Sequence, residues 1–287
     1  MTAFAAAPAD RSAPLGLAAP LGIFFAVFVL LPLLLLAFVS TYTDMAMTSH
    51  GTYQYTRFLS DDFNRGVLLN TLSLGLQVTG LALLLGLPLA FAYTLVPARW
   101  QGLLMLLIVL PLLTSAVVRT FAWVVILGRQ GIVNNGMLEL GWIDAPLRML
   151  YTQGATVIAL TQIELPLMVL PLITALLNID PNLRQASLAL GAGHWRTMWR
   201  VTLPLAIPGL LAGTLLVFAS SISAFVTQTL VGGGQRILMP FYMYQQAIQA
   251  NDYPFAAAIA MLLLVSVLVV VTLVNILARR ARGFVYA

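Results

Sequence analysis

Six long apolar runs, separated by polar loops, constrain this chain more than any other feature of its sequence. Each run has at least 20 residues, which is enough for a helix to cross a hydrocarbon core of about 30 Å. Only 8% of the 287 residues are charged and the mean hydropathy is +0.96, so a soluble domain would have a largely apolar surface. The sequence therefore predicts an all-α membrane protein with six transmembrane helices, at residues Leu17–Ser40, Leu68–Val96, Leu103–Leu127, Ala155–Leu177, Pro204–Val226 and Phe255–Leu277.

The distribution of arginine predicts the orientation of these helices. With six spans, the tails 1–16 and 278–287 lie on the same side as the loops 97–101 and 178–203. That side carries eight arginines and two acids, whereas the opposite loops carry five arginines and six acids. The positive-inside rule then places both termini and the 178–203 loop in the cytoplasm. The net charge of +5 is interpreted as this topology signal and not as a nucleic-acid-binding surface.

One alternative interpretation concerns the first span. A cleaved signal peptide is the alternative for Leu17–Ser40, but the apolar run is longer than a signal-peptide core and lacks a clear small-x-small cleavage site. We therefore expect a transmembrane permease domain at 17–277, flanked by short cytoplasmic tails at 1–16 and 278–287.

Missing residue types exclude several kinds of chemistry. The chain has no cysteine, and all fourteen of its basic residues are arginine. Without lysine a P-loop cannot be written, so any ATP and Mg²⁺ used would be bound by a partner chain. The two histidines, His50 and His194, are predicted on opposite sides of the membrane, which argues against a metal site or a catalytic triad. We expect that this chain is not an enzyme and that it binds no cofactor itself.

The polar loop 178–203 is patterned as two short amphipathic helices. Asp180 is suited to cap a helix N-terminus and Pro181 to occupy its first position. Gly191 is placed to end that helix in the left-handed conformation, and the turn to the second helix includes Gly193.

The second helix is predicted at His194–Val201. Pro204 is expected to force Leu203 out of helical geometry, so that a new element starts there. One face of the second helix carries Trp195, Met198 and Trp199, which we interpret as docking into a partner groove in preference to lying on the bilayer.

The same loop resembles the EAA loop of ABC importer permeases. That pattern reads Glu-Ala-Ala, three residues, Gly, nine residues, Ile-x-Leu-Pro, and every gap matches here. The matching positions are Gln185, Ala186, Ser187, Gly191, Val201, Leu203 and Pro204. Gln185, Ser187 and Val201 depart from the family residues, and the loss of the Glu carboxylate removes any salt bridge that it would make to the partner.

Further stretches are similar to the spermidine/putrescine-type importer permeases. They are Val118–Trp123, Gly128–Asn134, Leu165–Pro171, Phe225–Thr227 and Asp252–Phe255. The resemblance implies a permease subunit in a bacterial cytoplasmic (inner) membrane, working with two ABC ATPase subunits, a second and non-identical permease, and an extracytoplasmic solute-binding protein. It implies a polyamine as solute, with opines, phosphonates and other small zwitterionic or anionic solutes as alternatives.

Five residues are candidates for the solute pathway. Glu164 lies inside the fourth span, and an intramembrane carboxylate usually faces a cavity or a partner charge. Arg119 is predicted inside the third span, where it could pair with Glu164, bind backbone carbonyls or contact an anionic solute. Trp123, Phe225 and Tyr253 could offer aromatic faces to a cation, although packing or interface anchoring explains each of them as well.

Two mechanisms remain open from the residues alone. In the importer, ATP-driven movement of the 178–203 loop would switch a central pathway between the two sides of the membrane by alternating access. The rival is an ion-coupled secondary carrier that uses Glu164 as its proton site. It leaves the cytoplasmic loop unexplained and predicts an internal repeat that we do not find.

Overall fold

The apolar runs form long helices in the computed structural model, which describes residues 20–283. Within that range the backbone forms no β-strand apart from one isolated bridge between Tyr42 and His50. The helices are α1 (Pro20–Val39), α2 (Tyr53–Ser60), α3 (Asp62–Leu95), α4 (Ala98–Leu113), α5 (Ala116–Leu127), α6 (Ile132–Glu139), α7 (Gln153–Leu177), α8 (Pro181–Ala189), α9 (His194–Leu205), α10 (Ile207–Ser223), α11 (Phe225–Gly232), α12 (Met239–Tyr244) and α13 (Tyr253–Gly283).

Several of these helices are long and apolar enough to cross a membrane. Five qualify in residues 20–283, and a sixth is added if the bent pair α9 and α10 counts as one span. The five are α1, α3, α5 together with α6, α7 and α13. This confirms an all-α membrane protein, while the count of six and the coupling role of the 178–203 loop stay predictions.

The third predicted span, Leu103–Leu127, is two helices and not one. The first ends at Leu113, and Thr114 adopts an extended backbone (φ −96°, ψ 149°) before α5 begins at Ala116. Pro111 lies inside the last turn of α4, where its missing N–H and its ring weaken the helix.

The last two predicted spans also differ from the helices observed. The fifth was expected to reach Val226, but α10 ends at Ser223 because Ala224 turns out of helical geometry (φ −72°, ψ 74°). The final helix α13 continues to Gly283, past the predicted end of the span at Leu277. The expected tail 1–16, and residues 284–287 of the other tail, lie outside the described residues.

The helices α3, α7 and α10 form the main core. Its buried side chains are apolar and close-packed, among them Val78, Met168, Leu172 and Val217. The backbones also approach closely, because a Cβ added at Gly213 would lie 2.9 Å from the carbonyl oxygen of Met168. Such contacts through small residues are typical of helix pairs in membranes. This core joins the two ends of the 178–203 loop, since α7 enters the loop and α10 follows it.

Candidate functional site

The first short helix of the loop is terminated at both ends as the sequence predicts. The Asp180 carboxylate accepts a hydrogen bond from the backbone N–H of Asn182 at 2.9 Å. At the other end Gly191 has φ +83°. Its N–H bonds to the carbonyl of Leu188, and the next N–H bonds to the carbonyl of Ser187. This pair of bonds is a Schellman motif, so the turn that reverses the chain is held by local geometry.

The outer face of this helix is exposed and partly apolar. Gln185 and Ala186, two positions of the EAA-like pattern, are exposed. Leu183 and Leu188 are also exposed, and Leu190 is 89% exposed. Apolar side chains clustered on the surface of a protein mark an interaction site. This face is therefore suited to contact another chain.

A side-chain hydrogen bond joins α8 and α9. The hydroxyls of Ser187 and Thr197 lie 2.9 Å apart, and Thr197 is buried. Ser187, a departure from the family pattern, thus acts as a tether between the two short helices. No sequence pattern pointed to Thr197, because the tether depends on how the turn at Gly191 folds back.

The prediction that Pro204 ends the helix at Leu203 is wrong. Leu203 is helical (φ −65°, ψ −44°), and its N–H bonds to the carbonyl of Met198, five residues back. The stretch Met198–Thr202 is a π-helix, and this wider turn accommodates the proline ring without a clash with the preceding turn. The break comes instead at Ala206, where α9 and α10 meet at 65°.

The aromatic face of α9 borders another helix of the same chain. Trp195 and Trp199 pack edge to face, with ring centroids 6.0 Å apart. Together with Met198 they line an apolar groove whose other wall is α3 of the same chain. The docking of this face into a partner groove stays a prediction, because Trp195 and Trp199 are still 71% and 50% exposed.

Three of the five pathway candidates meet between α5 and α7. Glu164 is 6% exposed, and the polar groups near its carboxylate are the Ser220 hydroxyl and the Arg119 guanidinium. Arg119 donates to the carbonyl of Ile163 at 3.4 Å, and its buried Nε has no hydrogen-bond partner. Among the described residues no Arg119–Glu164 salt bridge within 4.0 Å is found, so the predicted alternative of a direct pair is not formed.

The aromatic candidates divide between two places. Trp123 joins the first group, because its indole N–H donates to the side-chain oxygen of Gln162 at 3.1 Å. Phe225 lies apart and stacks on Phe241, with centroids 6.2 Å apart. It shares with the half-exposed Tyr253 an apolar cavity of about 760 Å³ between α1 and α13. The structure therefore brings together Arg119, Trp123 and Glu164, but not Phe225 or Tyr253.

Comparison with known proteins places the chain in a family. Residues 15–283 match the family described as binding-protein-dependent transport system inner membrane component. The chain belongs to this family. It is a multi-pass permease subunit of an ABC importer.

Individual relatives agree with this assignment. The permease is 33% identical to the spermidine/putrescine transport system permease protein PotB of Haemophilus influenzae over 236 residues, 81% of this chain and 82% of the relative. It is 35% identical to the molybdenum transport system permease protein ModB of Escherichia coli over 178 residues, 60% of this chain and 76% of the relative.

A solved structure has the same fold. It is a bacterial alginate ABC transporter in complex with an alginate pentasaccharide-bound periplasmic protein. The TM-score is 0.76 at 21% identity, over 94% of this chain and 95% of that one.

The permease has two further polar features that the sequence did not reveal. A cavity of about 270 Å³ between α3, α7 and α11 is lined by Asn70, Gln153, Gln228 and Arg236. Gln228 is buried and donates to the carbonyl of Ser221 at 3.0 Å, which bridges the break between α10 and α11. The only hint of Gln228 in the sequence was its position, directly after the Phe225–Thr227 stretch that resembles the polyamine permeases.

The second feature is an ion pair between distant parts of the permease. Arg57 on α2 lies 2.8 Å from the carboxylate of Asp252, just before α13. The guanidinium also lies over the Phe255 ring, 3.9 Å from its centroid. Asp252 begins one of the stretches that resemble polyamine permeases, yet its partner is 195 residues away, beyond the reach of pattern analysis.

Proposed function

We propose that this permease is one of two membrane subunits, the second being non-identical, of an ATP-driven importer that takes up polyamines such as putrescine or spermidine. A periplasmic binding protein delivers the solute to the loops at 128–153 and 231–254. Two ABC ATPase subunits, which bind ATP and Mg²⁺, attach to the 178–203 loop on the cytoplasmic side. Both termini lie on that side in this topology.

The observation that supports ATPase attachment is the geometry of α8. It is a short helix with a capped start, a left-handed glycine at its end and an exposed apolar face. A helix of this kind fits a groove on a partner, in the way that amphipathic helices are commonly recognised. Because α8 and α9 connect α7 directly to α10, a displacement of the loop is passed to the helix that carries Glu164.

Two observations support a cationic solute: the environment of Glu164 and the similarity to PotB. Glu164 is buried on α7 and has no cation within salt-bridge distance in the described residues. A buried carboxylate without such a partner favours a cationic ligand. Trp123, held by Gln162 in the neighbouring helix, places an aromatic face in the same region.

Alternating access follows from how the broken helices join these sites. ATP binding closes the ATPase subunits and moves α8 and α9 as a unit. The bend at Ala206 and the prolines of α7, Pro166 and Pro171, are where the spans adjust. The pathway then opens to one side and closes to the other.

Uptake of labelled putrescine and spermidine tests the proposal, with cells that carry or lack this gene. ATP depletion and a protonophore are applied separately. We expect gene-dependent uptake that follows ATP. Uptake that follows the proton gradient supports the ion-coupled carrier, in which Glu164 is the proton site, and contradicts the importer for polyamines.

A second candidate solute class is anionic. It is favoured by the buried Nε of Arg119, which has no hydrogen-bond partner, and by the similarity to ModB. Arginine binds oxyanions through two parallel hydrogen bonds. Competition of labelled uptake by molybdate, phosphonates and opines distinguishes this candidate, because polyamine uptake is insensitive to them if Glu164 sets the specificity.

A further inference from the structure

A long apolar groove runs along α3 towards the 178–203 loop. One wall is α3, from Gly80 to Leu95, and the other is formed by α9 through Trp195 and Trp199. Its volume is about 580 Å³, within the range of pockets that bind small molecules. The groove belongs neither to the pathway residues nor to the exposed face of α8.

The dimensions of this groove match an extended acyl chain. Fifteen residues of helix separate Gly80 from Leu95, which corresponds to about 22 Å along the axis. A single leaflet of hydrocarbon is about 15 Å thick, so the groove is long enough for an acyl chain that spans one leaflet. The lining is almost entirely aliphatic and aromatic, with Thr202 as its one polar side chain. An acyl chain already lies in hydrocarbon, so the groove would hold it through van der Waals contacts with this lining.

The end of the groove next to the loop is cationic. The Arg184 guanidinium lies 5.6 Å from the ring centroid of Phe91, which lines the groove. Arg196 and Arg200 are exposed on the same helix as the two tryptophans, and Arg99 lies in the first turn of α4, next to the end of α3. The loops 97–101 and 178–203 hold these four arginines and one acid, Asp180. A negatively charged headgroup is complementary to this surface.

The two tryptophans mark the level of the headgroup. Trp195 and Trp199 are 71% and 50% exposed, and their rings pack against each other at the mouth of the groove. Tryptophan is enriched where hydrocarbon meets the polar headgroups. The arginines would thus lie at the level of the phosphate of a phospholipid, the two tryptophans at its glycerol region, and the apolar groove along its acyl chain.

We propose that this groove binds one anionic phospholipid, with an acyl chain along α3 and the phosphate at Arg184. The lipid then packs against α9, the element that links the loop to α10. Because a bound ligand stabilises the conformation to which it binds, the lipid holds α9 in the position seen here. The anionic lipid content of the membrane would thereby affect how loop movement reaches the core.

Tryptophan quenching by brominated lipids tests this proposal without any transport assay. The full chain, isolated with the subunits that co-purify, is placed in nanodiscs containing increasing fractions of brominated phosphatidylglycerol or brominated phosphatidylcholine. The Trp195→Phe/Trp199→Phe double variant gives the signal of the other three tryptophans of the chain. The difference from the wild type reports the groove alone.

We expect phosphatidylglycerol to quench the groove signal at a several-fold lower fraction than phosphatidylcholine. Arg184→Gln should reduce that preference by about fivefold, the effect of one arginine near a membrane surface. Arg129→Gln, in a loop predicted on the opposite side, is the matched control and should leave it unchanged. Ala92→Phe, at an exposed position in the groove, should abolish quenching by both lipids.

Three results would overturn the proposal. Equal quenching by the two lipids would show a groove open to bulk lipid, without a headgroup site. An unchanged preference in Arg184→Gln, or in wild-type protein at high salt, would remove the role of the cation. No quenching by either lipid would mean that another chain, such as the second permease, covers the groove.

Discussion

Replacement of Gly191 by alanine tests whether the left-handed turn sets up the surface for the ATPase. Gly191 has φ +83°, and nothing lies within 4 Å of a Cβ added there. The substitution therefore creates no clash, and its whole cost comes from the backbone. A residue with a Cβ pays about 1–2 kcal/mol in this conformation. The effect of the turn is thus separated from that of packing.

This strain cannot be absorbed locally. The helix α8 has nine residues, too short to be stable by itself, and the Ser187–Thr197 hydrogen bond ties it to α9. A cost of 1–2 kcal/mol lowers the equilibrium constant for the docking-competent conformation by about 5- to 30-fold. The apparent Kd for the partner ATPase rises by up to the same factor. Asparagine tolerates this conformation better, so Gly191→Asn should fall between alanine and the wild type.

Gly193 provides a matched control two residues away. Its backbone is extended (φ −68°, ψ 160°), and a Cβ there also meets nothing within 4 Å. Gly193→Ala should therefore bind the ATPase as the wild type does, or slightly more tightly, because alanine loses less entropy on ordering. The assay is titration of purified ATPase against the permease in nanodiscs, with equal abundance checked by size-exclusion chromatography. Equal affinities for the Gly191→Ala and Gly193→Ala variants would refute the reasoning.

Three further perturbations test other parts of the permease. Glu164→Gln should lower kcat/KM for polyamine uptake by about ten- to a hundredfold, because a hydrogen bond to a charged group contributes about 1.5–3 kcal/mol; an unchanged value would exclude contact with the solute. Asp252→Asn keeps the hydrogen-bond acceptor before α13 but breaks the pair with Arg57. Since that arginine side chain is 39% exposed, we expect a loss of stability below the 3–5 kcal/mol of a fully buried pair, and the additional Arg57→Gln change should restore part of the Tm. Hydrogen bonds from the Thr48 hydroxyl, and from neighbouring hydroxyl and backbone N–H groups, lower the pKa of Asp44 from 3.8 to about 2. The turn it stabilises should therefore keep its amide protection above pH 4 and lose it as the pH falls towards 2, and protection already lost at pH 5 would contradict this.

Local signals in the sequence were sufficient for the first half of the loop. Asp180, Pro181 and Gly191 each act through the backbone within a few residues, so their effects do not depend on the rest of the fold.

Residues that act through distant neighbours were not predictable in this way. Leu203 precedes a proline, and the local preference against a helix is overcome by the π-helical stretch before it. Glu164 and Arg119 were both identified, but their separation depends on how α5 packs on α7. The groove that Trp195 and Trp199 share with α3 was likewise not predictable, because it depends on how the loop folds back onto that helix.

Glycine contacts between α7 and α10 offer a route by which a movement of the loop would reach Glu164. Gly209 and Gly213 are one turn apart on α10 and face α7. A Cβ at Gly209 would lie 2.5 Å from the carbonyl oxygen of Pro171, and one at Gly213 would lie 2.9 Å from that of Met168. With backbones in contact at successive turns, α10 cannot slide along α7 without a clash. We therefore expect the two helices to move together, so that a displacement of α8 and α9 would tilt the pair that holds Glu164.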